Sequence, residues 1–112
     1  MKTTSRNVDG IEILSLQGKI TIGSGDVQLR DLIAQCMNDG KTNILLDMSG
    51  VSTIDSSGIG ELVGSFTTVT NRGGRLKLLH LPGKVTDLLQ VTQLITVFEV
   101  HDDEAKAVAS FK

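Results

Sequence analysis

Apolar residues along this chain alternate between two spacings. In "GIEILSLQGKI", Ile11 and Ile13 fall on one face and Leu14 and Leu16 on the other, a strand pattern with both faces covered that stops at a glycine-containing loop, "TIGSGD". In "DVQLRDLIAQCMNDG", Leu29, Leu32, Ile33, Cys36 and Met37 recur at i, i+3, i+4, i+7 and i+8, one stripe of a helix. Ser24 or Asp26 is placed to cap that helix, and Gly40 sits where a left-handed C-terminal cap belongs. "TNILLDM" is a nearly continuous apolar run of strand length, the signature of a strand buried on both faces.

The next stretch, "VSTIDSSGIGEL", leads into a second helical stripe, Ile59, Leu62, Val63, Phe66 and Val69 or Thr70, which "NRGG" terminates. "RLKLLHL" reads as a strand, Pro82-Gly83 breaks it, and "KVTDLLQVTQL" reads as a short helix with Val85, Leu88 and Leu89 inward. "ITVFEV" follows as a last short strand. "HDDEAKAVASFK" is acidic at its start and basic at its end, as a helix dipole favours, with Ala105, Val108 and Ala109 as a weak apolar face. The first few residues either add an edge strand or fray. Strand and helix alternate with short loops, so the expected fold is α/β: one domain over residues 1–112, a four- to five-stranded mixed, largely parallel sheet and about four helices.

Composition narrows the function by exclusion. The length of 112 residues is enough for one core. A net charge of −2, with no Trp or Tyr, offers neither the basic stripe nor the stacking platform of a nucleic-acid binder. One cysteine, Cys36, forms no internal disulfide and fits a reducing compartment. The N-terminus lacks the apolar region of a signal peptide, and no apolar run approaches a membrane span. The expectation is a soluble, cytoplasmic domain with no membrane insertion.

The concentrated chemistry lies at "DSSG". In an open α/β sheet ligands gather at the carboxyl ends of the strands, and "NILLDMSGVSTID" is read as a strand running through a loop into a helix that begins near Ser56 to Gly58. The first N–H groups of that helix lack intrahelical partners and favour an anion. Three readings compete. Asp55, Ser56 or Ser57 is simply an N-cap; a serine is a nucleophile; or a serine accepts a phosphoryl group, which brings about −1.5 to −2 charge at pH 7. Gly58 and Gly60 weaken the first turn of the helix and suit the close approach of a partner's backbone.

The nucleophile reading is poorly supported. His80 and His101, the two histidines, fall at a strand end and beside the last helix, and "DSSG" is not a G-x-S-x-G elbow. Two separated histidines and one cysteine have no metal-ligand spacing, "NRGGRL" and "TIGSGD" are not P-loops, and Cys36 reads as a small core residue. No catalytic residue, metal site or cofactor is expected.

"LLDMSGVSTIDSSGIGEL" resembles the central motif of the STAS domain family, specifically the bacterial anti-sigma factor antagonists: a strand ending in an acidic or polar residue, then Asp-Ser-Ser-Gly-[Leu/Ile]-Gly, here Asp55, Ser56, Ser57, Gly58, Ile59 and Gly60. "LQGKI", "NRGGRLKLLHLP" and "VTDLLQVTQLITVFEVHDDEAKAV" are similar to flanking parts of the family, so the resemblance spans nearly the whole chain. It implies that Ser56 is phosphorylated by a GHKL-like serine kinase that is also the anti-sigma factor. The unphosphorylated antagonist binds this kinase, the phosphorylated form binds poorly, and a PP2C-type phosphatase restores it. It leaves Ser57 as the cap or a local hydrogen-bonding partner. The implied partner surface is Asp55, Ser56, Ser57, Gly58, Ile59 and Gly60 with Thr21 and Ser24 of "TIGSGD". Many antagonists carry Gly-[Glu/Asp]-[Leu/Ile]-Asp at the early strand end, where this chain has Lys19 and Thr21. The other implied role is a STAS subunit of a stress-signalling scaffold or lipid-transport complex that works without phosphorylation. A homodimer through the last helices is the accompanying expectation on self-association.

Overall fold

The strand at "GIEILSLQGKI" is central to the architecture. It is β2, Ile11–Ile20, and a computed structural model describes it together with all of residues 1–112. On one side it pairs antiparallel with β1, Lys2–Val8, so the first residues form an edge strand. On the other it pairs parallel with β3, Asn43–Ile54, which pairs parallel with β4, Arg75–Leu79, and that with β5, Val100–His101. The sheet order is β1-β2-β3-β4-β5. Helix α1, Asp26–Asn38, joins β2 to β3, α2, Ser56–Asn71, joins β3 to β4, and α3, Gly83–Val91, with a short 3-10 turn at Leu94–Thr96, joins β4 to β5.

Sheet order follows chain order, so crossovers of one hand put all three helices on the same face. There Leu14, Leu16, Leu46, Met48 and Leu78 of the sheet pack with Leu29 and Ile33 of α1, Leu62 and Val69 of α2, and Val85 and Leu89 of α3. The opposite face carries a smaller core of Ile11, Ile13, Leu45 and Leu79 under Ala107, Val108 and Phe111, contributed by α4, Glu104–Ala109, and the residues after it. That second cover is why β2 reads as apolar on both faces. Each such side chain withdrawn from water contributes roughly 1.5–3 kcal/mol before the entropy of ordering is set against it.

Helix ends follow local chemistry. Helix α1 closes with Gly40 at φ +76° and bonds from Gly40 N–H to Met37 O (3.1 Å) and from Lys41 N–H to Cys36 O (2.8 Å), the Schellman arrangement. Its start differs from expectation, because neither Ser24 nor Asp26 caps it. The N-cap is Gly25, at φ +92°, where a Cβ would lie 2.0 Å from Lys19 O. Asp26 is buried one residue later and accepts the Val27 N–H at 2.8 Å.

Three further expectations give way. Strand β3 does not end near Met48 in a loop; it continues to Ile54, paired with β2 throughout apart from register shifts between Ser15 and Gln17 and between Gly18 and Lys19. Gly50 lies against Leu16 O and the Gln17 side chain, so the Ser/Gly composition that resembles a loop belongs to an irregular strand. In "ITVFEV" only Val100 is in a strand. Gln93 turns the chain at φ +61°, and Phe98 is buried edge-on to Phe66, with ring centroids 5.5 Å apart, so this apolar run packs on α2 and leaves little to pair. In α4, Ala105 and Ala109 are exposed, while Ala107 and Val108 are buried. The cap fixes this phase: Asp103 accepts the Lys106 N–H at 2.9 Å and starts the helix at Glu104. Cys36 is a buried core residue, and burial pushes its thiol up.

Candidate functional site

Strands β2 and β3 finish together, with Ile20 opposite Ile54, well past the end of β4, whose last partner on β3 is Asp47. The next residues, Thr21 and Asp55, therefore form a protruding corner at the carboxyl edge of the sheet. Asp55 N–H donates to Ile20 O at 3.4 Å, and helix α2 starts at once, so one residue makes the whole turn from strand to helix.

Asp55 is the N-cap. Its Oδ1 accepts the Gly58 N–H at 3.0 Å, and its Oδ2 accepts the Ile22 N–H, also at 3.0 Å. These N–H donors, Gly58 first and Ile22 second, hold the Asp55 carboxyl below the usual carboxylate range. The expectation that Ser57 caps the helix is thus corrected. Asp55 precedes the helix with extended backbone, from which a short carboxylate reaches the N3 position, whereas Ser56 and Ser57 already have helical geometry. The hydroxyls of Ser56 and Ser57 stand outside this network, Ser56 exposed and Ser57 half-buried.

The same carboxylate joins the two segments that the sequence kept apart. Thr21 to Ser24 form a four-residue turn, closed by Thr21 N–H to Ser24 O at 2.7 Å and Ser24 N–H to Thr21 O at 2.9 Å, with Gly23 at φ +72°. Thr21 Oγ1 donates to Ser24 O at 3.4 Å and so faces its own turn. Ile22, at the tip, is 75% exposed while its N–H is held by Asp55. Thr21, Ser24, Asp55 and Ser56 are therefore neighbours on one corner. Lys19, where the family pattern often has an acid, is exposed at the end of β2, beside Thr53.

Two expected partner-facing residues are inaccessible. Ile59 is 5% exposed and belongs to the main core, because the helical stripe that begins with it faces the sheet. Gly58 is buried against β2: a Cβ there would lie 2.0 Å from Ile20 O and 2.7 Å from Ile54 Cγ1. It serves the internal approach of α2 to the sheet. Gly60 is different, exposed with no neighbour within 4 Å of where its Cβ would be. The next residue, Glu61, forms a forked ion pair with Arg30 of α1, Arg30 Nε lying 3.2 Å from Oε1, which pins the two helices beside the corner.

The histidines lie elsewhere. His80 follows the end of β4, about 20 Å back from Ile54 by the rise of the strand, and His101 Nε2 sits 2.6 Å from Glu99. Neither histidine lies at this corner, and no three His, Cys, Asp or Glu side chains group as metal ligands. What sequence reasoning missed is the role of Asp55 as a clamp between two loops; its signal was the position of an acid directly before two serines.

The corner and the sheet define a class: a small mixed α/β domain whose exposed chemistry is a hydroxyl at the first turn of a helix, beside a clamped turn. The chain belongs to the STAS domain family, whose profile matches residues 2–107. It is 30% identical over 95 residues to the anti-sigma-B factor antagonist of Bacillus subtilis, an alignment covering 85% of this chain and 84% of that one. Its fold is similar to that of TM1081 from Thermotoga maritima, at a TM-score of 0.89 and 24% identity over 97% of this chain and 93% of the other. It is also similar to the Bacillus cell-fate determinant SpoIIAA in its phosphorylated form, at a TM-score of 0.75 and 21% identity over 99% of this chain and 100% of the other. No helix is long and apolar enough to cross a membrane.

Proposed function

We propose that this protein is an anti-sigma factor antagonist switched by phosphorylation of Ser56. In its unphosphorylated form it binds an anti-sigma factor, itself a GHKL-like serine kinase, and so frees a sigma factor and regulates transcription. Phosphorylation at Ser56 ends that binding, and a PP2C-type phosphatase reverses it. The observation that carries this reading is the division of labour between Asp55 and Ser56. The carboxylate satisfies the Gly58 N–H, so the neighbouring exposed hydroxyl is not needed as a cap and is free for an incoming kinase. The Bacillus subtilis relative, an anti-sigma-B factor antagonist, supports the antagonist role over that of a scaffold or transport subunit.

Asp55 also shapes how the switch works. The helix start still favours an anion at Ser56, yet the carboxylate already occupies the N3 donor and would repel a phosphate drawn inward. A phosphoryl group on Ser56 therefore projects outward. Its added charge of about −1.5 to −2 sits on the docking face, where a partner must desolvate it or oppose it with a cation. The switch acts by obstruction at the surface, with no rearrangement of the fold.

Incubation with the cognate kinase and ATP, followed by peptide mass spectrometry, tests the assignment. Phosphate is expected on Ser56 and absent from Ser56→Ala. Full phosphorylation of Ser56→Ala would move the acceptor elsewhere.

A further inference from the structure

The outer edge of the sheet stops short. In β4 the odd-numbered residues bond towards β3, Arg75 N–H to Thr42 O at 2.9 Å. The even-numbered ones bond towards β5, Leu78 N–H to Glu99 O at 3.0 Å and His80 N–H to His101 O at 2.9 Å. By the same alternation the N–H and C=O of Leu76 face the chain that precedes β5. That chain is not a strand. Val97 closes the 3-10 turn with helical backbone, φ −71° and ψ −35°, and its N–H bonds back to Leu94 O at 3.0 Å. The next two bonds of the ladder, Leu76 N–H to Val97 O and Glu99 N–H to Leu76 O, are not made. A cleft of about 320 Å³ opens there instead, lined by Phe66, Thr70, Leu76, Val97 and Glu99 among others. Leu76 is only 2% exposed, and a buried residue with neither backbone group bonded is rare in a folded protein.

We propose that Val97–Glu99 is a strap that alternates between this turn and an extended β5, zipping onto Leu76 and closing the cleft. The unpaired groups are complementary and in register. Carrying the Leu78–Val100 pairing back by two residues sets Phe98 opposite Leu76, which brings Val97 O to the Leu76 N–H and the Glu99 N–H to Leu76 O. The side chains keep their sides. Phe98 falls on the face of Leu76 and Leu78, whose core already contains it. Glu99 falls on the face of Lys77, its present ion-pair partner at 2.8 Å. The backbone change centres on Val97, which must pass from helical to extended geometry, and valine favours the extended form. Against this the turn holds its Val97–Leu94 bond and the edge-on contact of Phe98 with Phe66. The two forms thus exchange one bond and one ring contact for two ladder bonds, a balance of similar local terms that lets both be populated.

Amide-nitrogen relaxation dispersion on the full chain, for wild type and Val97→Gly, tests the strap, with circular dichroism as the check on folding. In wild type the amides of Leu76, Val97, Phe98 and Glu99 are expected to exchange at one shared rate in the microsecond-to-millisecond range. Leu45, at the centre of the sheet, should show no exchange. Val97→Gly loses more in the strand than in the turn, so it should reduce the strand population about threefold. Flat profiles at both Leu76 and Glu99 in wild type would overturn the proposal, whatever the variant does. So would exchange confined to Phe98, which would report ring motion without strand pairing. Equal populations in wild type and a folded Val97→Gly would overturn it as well, because the exchange would then not be strand formation.

Discussion

Asp55 Oδ2 accepts the backbone N–H of Ile22 at 3.0 Å across a sequence separation of 33 residues. With its other oxygen on Gly58 N–H at 3.0 Å, one carboxylate both caps α2 and fixes the turn after β2. Both bonds need the ionised form, and its folded pKa lies below the ordinary value. The stabilisation it gives is therefore present at neutral pH and is lost as pH falls through that depressed value. Asp55→Asn should melt lower than wild type at pH 7, and its melting temperature should depend less steeply on pH between about pH 5 and pH 3. Thermal denaturation across that range checks this. Equal slopes would mean that the carboxylate charge contributes nothing.

The two glycines of the motif should respond to alanine in opposite directions. At Gly58 a Cβ meets backbone, Ile20 O at 2.0 Å, so α2 must shift away from β2; a loss of about 1–3 kcal/mol is expected from overpacking. At Gly60 the space is open and the position lies inside a helix, so Gly60→Ala should gain about 0.5–1 kcal/mol. Urea denaturation of both variants measures this. A stabilised Gly60→Ala that binds its kinase more weakly would show that the bare helix surface serves the partner and not the fold.

How far the sequence reading reached follows from which forces act locally. Helices α1 and α2 were legible because the apolar stripes that define them, such as Leu29, Ile33 and Cys36, are the residues that face the sheet. The C-terminal part of β3 was not. Its pairing with β2 rests on a register shift and on Gly50 nesting against Leu16 O, long-range matters that composition does not record. "ITVFEV" was misread because apolar β-branched residues suit a strand, while Phe98 finds a better partner in Phe66. At the site, the serine pair and the loop that joins it were both legible. Which residue caps was not, because that depends on the backbone angle at Asp55; Ile59 carries two expectations, a place in the helical stripe and a place on the partner surface, and its helical phase puts it in the core.

A second charged cluster holds down the C-terminal segment. Lys77, buried on β4, donates to Ser110 O and Ser110 Oγ at 2.9 Å each, pairs with Glu99 at 2.8 Å, and lies 4.6 Å from the centre of the Phe111 ring. Glu99, bonded by Lys77 and then by His101, has its pKa lowered to about 2. Lys77→Met keeps most of the volume but orphans the Ser110 carbonyl, and a loss of about 1.5–3 kcal/mol is expected. Because the Glu99 contribution disappears only as pH falls towards about 2, Glu99→Gln should narrow its stability deficit below about pH 4 and show its full deficit at pH 7. Chemical denaturation at the two pH values checks the sign.

The last prediction separates an obstructive switch from a conformational one. If a phosphate at Ser56 were drawn into the helix start, it would compete with Asp55 for the Gly58 N–H and release Ile22, loosening the turn. Because Asp55 already holds both donors, the charge should stay outside, and the clamp should survive. Ser56→Asp, an imperfect but genetically encoded mimic, adds favourable dipole interaction at the first helical position and unfavourable repulsion from Asp55; each is worth a few tenths of a kcal/mol to about 1 kcal/mol at a surface site. They largely cancel, so the melting temperature should stay within a few degrees of wild type. Hydrogen exchange should show the Ile22 and Gly58 amides equally protected in wild type, Ser56→Asp and the enzymatically phosphorylated protein, while binding to the kinase falls in the two charged forms. Loss of protection at Ile22 on phosphorylation would show instead that the signal travels through the Asp55 clamp into the turn.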